Sequence, residues 1–216
     1  MRARANGIVV DLPSWPVRVR DLGLADYTQV WHEMQAFTAT RDARTDDEVW
    51  LVQHPPVYTL GLNGKREHIH DSADVPIVAC DRGGQVTYHG PGQLIAYVLV
   101  DLKRRNIGVK ALVATLEQAV IGLLDEFGVA ATRRSGAPGV YVNDAKIAAL
   151  GLRVRRGCSY HGLSLNIAMD LSPFDRIDPC GYRGLQVTQL SALVAGVDIA
   201  SVSPHLVEHL LQQFAS

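Results

Sequence analysis

Cysteine is scarce in this chain: there are three, Cys80, Cys158 and Cys180, an odd number with no CxxC spacing. That argues against a disulfide framework and gives no support to a structural zinc site. Free thiols fit a reducing cytosol, so the expected localisation is cytoplasmic. An excess of charge of one sign is also lacking. The net charge is −1, so no global field draws the protein to nucleic acid or to an anionic membrane. No apolar run reaches the roughly 18 residues that a membrane helix needs. Met1 to Asp11 has no long apolar stretch of the secretory-signal kind. Repeats, low-complexity segments and long linkers are missing as well. The expectation is one domain over residues 1–216, long enough for a real core, with 1–18 as an irregular lead-in containing Pro13 and Pro16.

What is present is a mixture of helix and strand patterns without regular βαβ alternation. Leu24, Tyr27, Val30, Trp31, Met34 and Phe37 recur at helical spacing, with Asp26 placed to stabilise the positive helix start. The run EVWLVQHPPVYTLG reads as a strand bent or broken at Pro55 and Pro56. PIVACDRGGQVTYHGPGQLIAYVLVDL reads as strand, glycine-rich loop, strand. A second helix covers GVKALVATLEQAVIGLLDEFGV and ends near Gly128. From Gly139 to Asp170, Asn143-Asp144 and Arg156-Gly157 supply turn chemistry, which predicts an antiparallel meander. A short helical segment near VTQLSALVAG and a last helix over Ser203 to Phe214 follow. The expected fold class is α/β, a single domain with a mixed or mainly antiparallel sheet flanked by helices.

Among the thiols, Cys80 ends an apolar run and reads as a buried strand residue. Cys158 follows Arg155, Arg156 and Gly157, and can face either way. Cys180 stands in DPCGY, where proline and glycine make a tight, irregular backbone that can present a thiol to substrate. Lys146 follows a turn and leads into IAALGL. Drawn into such apolar company it can accept a proton; kept charged it can stabilise a thiolate. Four glycines within Gly83 to Gly92 alternate with Arg82, Gln85, Thr87, Tyr88 and His89, which suggests a binding loop rather than a plain hairpin. Its spacing is not that of a P-loop or a dinucleotide fingerprint. His68, His70 and Asp71 in HIHD are weak metal candidates without a third well-spaced partner set, so no metal is expected. His89 and His161 each precede glycine and can be either core or working histidines. Basic clusters at Lys103 to Arg105, Arg133-Arg134 and Arg153 to Arg156 are either ordinary surface or a landing site for an acidic partner.

The segments RGGQVTYHGPGQLIAY, KIAALGLRVRRGCSYHGLSLNI, DLSPFDRIDPCGY, VTQL and, upstream, HPPVYTLG together resemble the lipoyl(octanoyl) transferases. The resemblance implies the fold shared with biotin and lipoate protein ligases, an acyl-thioester at Cys180 and a lysine partner at Lys146. It implies a substrate channel lined by Arg82, Gly83, Gly84, Gln85, Val86, Thr87, Tyr88 and His89, by Ala149, Leu150 and Gly151, and by Gly162, Leu163 and Ser164. It also implies octanoyl-acyl carrier protein as donor. The implied acceptors are lipoyl domains of 2-oxoacid dehydrogenase complexes and the glycine cleavage H protein, with no ATP, metal or other cofactor. Gln53 and Leu60 depart from the family pattern, which carries Glu and Gln there. Competing readings are an ATP-dependent lipoate or biotin ligase, a non-catalytic carrier-binding module, and a Cys-His hydrolase.

Overall fold

The computed structural model describes residues 7–10, 16–179 and 184–215. Among these, the strands form two sheets. The larger has eight strands in the order β1 (Gly7–Val10), β2 (Val17–Leu24), β3 (Asp47–Gln53), β7 (Gln93–Leu99), β11 (Cys158–Asn166), β10 (Ala145–Arg155), β9 (Val140–Val142), β8 (Thr132–Arg133). The smaller has three, β5 (Ile77–Ala79), β4 (Val57–Leu60) and β6 (Val86–His89). The large sheet is mixed: β2 runs parallel to β3, and the other described pairings are antiparallel.

Alternation in β7 shows how the layers are built. Leu94, Ala96 and Val98 enter the main core, covered by α2 (Val109–Glu126) and α3 (Ile199–Ala215). Ile95, Tyr97 and Leu99 point to the opposite face, covered by α1 (Tyr27–Thr40) through Val30 and Met34. A strand buried on both faces cannot show a clean apolar-polar alternation, which is why QLIAYVL is a continuous apolar run. The main core holds 27 buried apolar residues on one face, enough to make this the stabilising centre of the domain.

Most expected elements are found. Asp26 caps α1 by accepting from Gln29 N at 2.9 Å. Pro55 and Pro56 break their run so completely that β3 and β4 join different sheets. Both meander turns carry left-handed backbone, at Asn143 and Asp144 and at Arg156 and Gly157. Three expectations need correction. Gly7–Val10 is no irregular lead-in but pairs with Val17–Arg20. Leu24 ends β2, beyond the helix, and is 61% exposed. The last helix begins at Ile199, five residues before Pro204, because the chain accepts an internal proline where Val202, Leu206 and Leu210 bury against α2. No helix among the described residues is long and apolar enough to cross a membrane.

Candidate active site

The glycine-rich segment Arg82–Gln85 is held in shape from within. The buried guanidinium of Arg82 donates from Nε to Thr59 Oγ1 at 3.0 Å, from Nη2 to Thr59 O at 2.7 Å and to Gln85 O at 2.6 Å, and from Nη1 to Gly83 O at 3.0 Å. These donors are spent on the loop's own backbone and on β4, so Arg82 builds the loop wall rather than offering its charge to a ligand. The loop covers a cavity of about 490 Å³, counting the part open to solvent. Its mouth is formed by half-exposed Gln85, Thr87, Ala149, Leu150 and Gly151; its floor by buried Tyr27, His89, Ile95, Tyr97 and His161.

The floor is polar yet uncharged. His54 Nδ1–H donates to Ala25 O at 2.6 Å, which leaves Nε2 to accept from Tyr97 OH at 2.7 Å. His89 Nδ1–H donates to Gln93 Oε1 at 2.7 Å, and its Nε2 faces Thr59 Oγ1 at 3.4 Å. Burial lowers the pKa of all three floor and sub-floor histidines, His54, His89 and His161, and pushes His89 down to about 3. Burial also raises the phenols of Tyr27 and Tyr97. At neutral pH these rings are therefore neutral, and the buried Arg82 guanidinium in the wall is already paired with Thr59, Gly83 and Gln85.

His161 reaches the floor through its backbone. Its φ of 59° is left-handed, and consecutive Tyr160 and His161 both bond the same carboxylate, Asp81. Trp31 Nε1 and Gln35 Nε2 complete four donors around Asp81, at 2.8 and 3.3 Å. Partial burial works to raise the Asp81 carboxyl, but the bonds from His161, Tyr160 and Trp31 outweigh it and hold it well below the usual carboxylate range. At the next residue a side chain is impossible: a Cβ on Gly162 would stand 2.0 Å from Ala96 O. Glycine is what lets β11 and β7 close over the cavity.

Lys146 sits in a second, more open cavity of about 880 Å³ that shares Gly84, Gln85, Leu150 and Gly151 with the first. A bulge between Lys146 and Ala148 in the β9–β10 pairing turns the side chain into it. Lys146 is 4% exposed, donates from Nζ to Pro138 O at 3.2 Å, and lies 5.2 Å from the Tyr141 ring centroid. Its backbone is bound to a segment a few residues past Cys180 in sequence: Lys146 N donates to Gln186 O at 2.8 Å and Thr188 N donates to Lys146 O at 2.9 Å. Cys180 itself lies outside the described residues. The other two thiols, Cys80 and Cys158, are 8% and 7% exposed. Burial raises the Cys158 thiol.

Of the channel residues expected from sequence, Arg82, Gly84, Gln85, Val86, Thr87, His89, Ala149, Leu150, Gly151, Gly162, Leu163 and Ser164 line the first cavity. Gly83 lines only the second. Tyr88 lines neither; it packs on Tyr58 and Phe174 under the small sheet, because β-alternation sends it away from Thr87 and His89. Tyr27, Ile95 and Tyr97 were missed, since their apolar periodicity reads as core, and His161 was noticed without being placed. The departures are local: Gln53 Oε1 accepts from Gly92 N at 2.8 Å, a bond Glu would also make, and Leu60 packs at the edge of the small-sheet core. His68 and His70 both bond Asp178, and no cluster of three metal-ligating side chains occurs among the described residues.

A family model described as the lipoyl protein ligase A/B catalytic domain matches residues 26–211. The chain belongs to this family. Among its relatives, the octanoyltransferase of Nitrosococcus oceani is 57% identical over 197 residues, covering 91% of this chain and 88% of the relative. That of Methylococcus capsulatus is 58% identical over 195 residues, covering 90% and 94%. Solved structures share the fold: lipoate-protein ligase A bound with ATP superposes with a TM-score of 0.76 at 15% identity, covering 90% of this chain and 84% of that one. A biotin protein ligase from Aquifex aeolicus with biotin and ATP gives 0.57 at 12%, covering 91% and 69%. The family thus stands with the octanoyltransferases in sequence and with the ligases in fold.

Proposed function

We propose that this protein is an acyltransferase of lipoate biosynthesis that moves an octanoyl group from acyl carrier protein to a lipoyl-domain lysine through a thioester on Cys180. The observation that carries the reading is the position of Lys146. It is buried in a cavity that shares four wall residues with the first, and its backbone is bonded to Gln186 and Thr188, six and eight positions past Cys180 in sequence.

The alkyl chain lies in the neutral cavity between the glycine loop and β11, with the carbonyl at the shared wall of Gly84, Gln85, Leu150 and Gly151. The Cys180 thiolate attacks that carbonyl carbon, a new C–S bond forms, and the carrier's thiolate leaves and takes up a proton. The acceptor amine then attacks the acyl-enzyme carbon. The C–S bond breaks, an amide forms, the amine gives up a proton and the Cys180 thiolate is restored. Lys146 either accepts the thiol proton or, as a cation, stabilises the thiolate. Buried Cys80 and Cys158 are poorly placed for this role.

Intact-mass measurement after incubation with octanoyl-acyl carrier protein tests it. The expected result is one octanoyl adduct that maps to Cys180, forms without nucleotide and in the presence of EDTA, and is absent from Cys180→Ala. An adduct on Cys158, or full transfer by Cys180→Ala, removes the thioester assignment. An absolute need for ATP and magnesium moves the protein to the ligase reading favoured by its fold neighbours.

A further inference from the structure

The HIHD motif has no part in the chemistry above, yet its histidines bond Asp178, two residues before Cys180 in sequence. His68 to Asp71 and Arg176 to Asp178 form a short antiparallel ladder: His70 N donates to Arg176 O at 2.8 Å, Asp178 N donates to His68 O at 2.9 Å, and Ile69 pairs with Ile177. Period-2 alternation splits this ladder into two faces. Ile69 and Ile177 point into the small-sheet core, where Ile177 is 4% exposed. His68 and His70 point the other way, and both reach one carboxylate: His68 Nδ1 lies 3.3 Å from Asp178 Oδ2 and His70 Nε2 lies 3.0 Å from Asp178 Oδ1. The Asp178 side chain is only 13% exposed although it lies on a loop. The flanking charges, Arg176 and Asp71, pair with each other at 3.5 Å, so the histidines are the groups that hold Asp178.

Asp178 stands two residues before Cys180. On the far side, Gln186 and Thr188 are tied to Lys146. The described chain is thus tied down on both sides of residues 180–183, at Asp178 by the histidine pair and at Gln186 and Thr188 by the lysine.

We infer that Asp178 is a positioning residue, held by His68 and His70, through which the fold sets the position of Cys180 two residues further on. This rests on the reading of Cys180 as the acyl-bearing thiol. A displacement of about 1 Å at a reacting group costs up to roughly a hundredfold in rate, so a clamp at this distance in sequence has leverage without touching substrate.

The test compares Asp178→Ala, Asp178→Asn and the double variant His68→Asn/His70→Asn with the wild-type chain. Single-turnover octanoyl loading and the pH profile of Cys180 alkylation, mapped by peptide mass, are the readouts. Cys80 and Cys158 serve as internal reporters of folding, because both stay slow while the fold is intact. The expected result is that Asp178→Ala loads roughly tenfold to a hundredfold more slowly in kcat. KM for the donor should change little and the alkylation profile should shift. Asp178→Asn, which keeps one acceptor, should recover part of the rate. Wild-type loading and an unchanged profile in Asp178→Ala overturn the clamp. If Asp178→Ala exposes Cys80 and Cys158, the double-histidine variant decides: slowed loading upholds the clamp, and wild-type loading overturns it. Loading that survives Cys180→Ala instead removes the underlying reading, an outcome distinct from failure of the clamp.

Discussion

Thr188 donates its main-chain N–H to the carbonyl of Lys146 at 2.9 Å, and the Thr188 carbonyl in turn accepts from Asn166 Nδ2 at 3.0 Å. Asn166 Oδ1 accepts from Gln93 Nε2 at 2.9 Å, and Gln93 Oε1 accepts from His89. One chain of hydrogen bonds therefore runs from the floor of the neutral cavity to the backbone of the lysine. Replacing buried Asn166 with Asp keeps the acceptor and removes the donor, leaving two oxygens facing each other. The expected cost is roughly 1–3 kcal/mol for the unmet group. Octanoyl loading should slow together with a lowered Tm. A variant with wild-type loading would show that the chain is not coupled to the site.

Lys146→Met should behave differently. Methionine keeps most of the apolar stem of lysine while removing the charged Nζ that bonds Pro138 O and lies over the Tyr141 ring. The expected outcome is a near-native Tm with slower loading and a higher apparent pKa of Cys180 in alkylation-rate profiles. Unchanged loading would remove Lys146 from the proposed dyad.

The reasons for success and failure in reading the sequence are physical. The glycine loop stands out because a polar-glycine alternation has no use in a core strand, and the structure places most of it along the cavity; Lys146 and Cys180 stand out through turn chemistry, and their roles are proposals. Tyr27 and Tyr97 do not stand out, because a residue that faces a buried cavity obeys the same burial periodicity as one that faces packed side chains. The cluster at Lys103 to Arg105 hides its role for another reason. Arg104 and Arg105 donate to Asp47, which is 0% exposed, at 2.6 and 2.7 Å, and Arg41 joins them at 2.6 Å. Adjacent basic residues in sequence cannot announce a carboxylate supplied from more than 50 positions away.

The neutral histidines make stability acid-sensitive. Burial lowers His54, His89 and His161 below the unfolded value of about 6.5, so the unfolded chain binds more protons as pH falls below that value. Their contribution is fully present above about pH 6.5 and is lost progressively toward the folded value of His89, about 3. The depressed carboxyl of Asp81 acts in the same sense, but only below about pH 4, where it protonates in the unfolded chain. Calorimetry should give a lower Tm at pH 5 than at pH 7.5, with a smaller difference in His89→Gln. A Tm independent of pH over that range would contradict the neutral floor.

Arg155 and Arg156 are exposed at the β10–β11 turn, unlike Arg104 and Arg105, and are the better candidates for meeting an acidic carrier. Reversing both to Glu should slow octanoyl loading by up to about tenfold at low salt and flatten its dependence on ionic strength. The Tm should change little, since both side chains are exposed and the bond from Arg156 Nη1 to Ala39 O at 3.3 Å lies at the surface. Unchanged rates and salt slope would place the carrier elsewhere.

Gly139 offers the sharpest test of the wall behind Lys146. Its φ is 142°, outside the range that a side chain tolerates well, and its N–H donates to buried Glu117 Oε1 at 2.9 Å. A Cβ at this position would stand 2.8 Å from Ala148 O and 3.0 Å from Lys146 Cε. The first neighbour is backbone and cannot move without disturbing the β10 bulge; the second is the side chain whose aim the bulge sets. Gly139→Ala should therefore cost about 1–3 kcal/mol in overpacking and backbone strain. It should also slow loading by more than its stability loss explains, since the folded fraction at 25 °C stays near unity after a loss of that size from an ordinary domain. Loading rates normalised to folded protein, set beside denaturant midpoints, separate the two effects. A Gly139→Ala protein that is destabilised yet loads octanoyl at the wild-type rate would show that Lys146 tolerates displacement, and that the wall supports the fold alone.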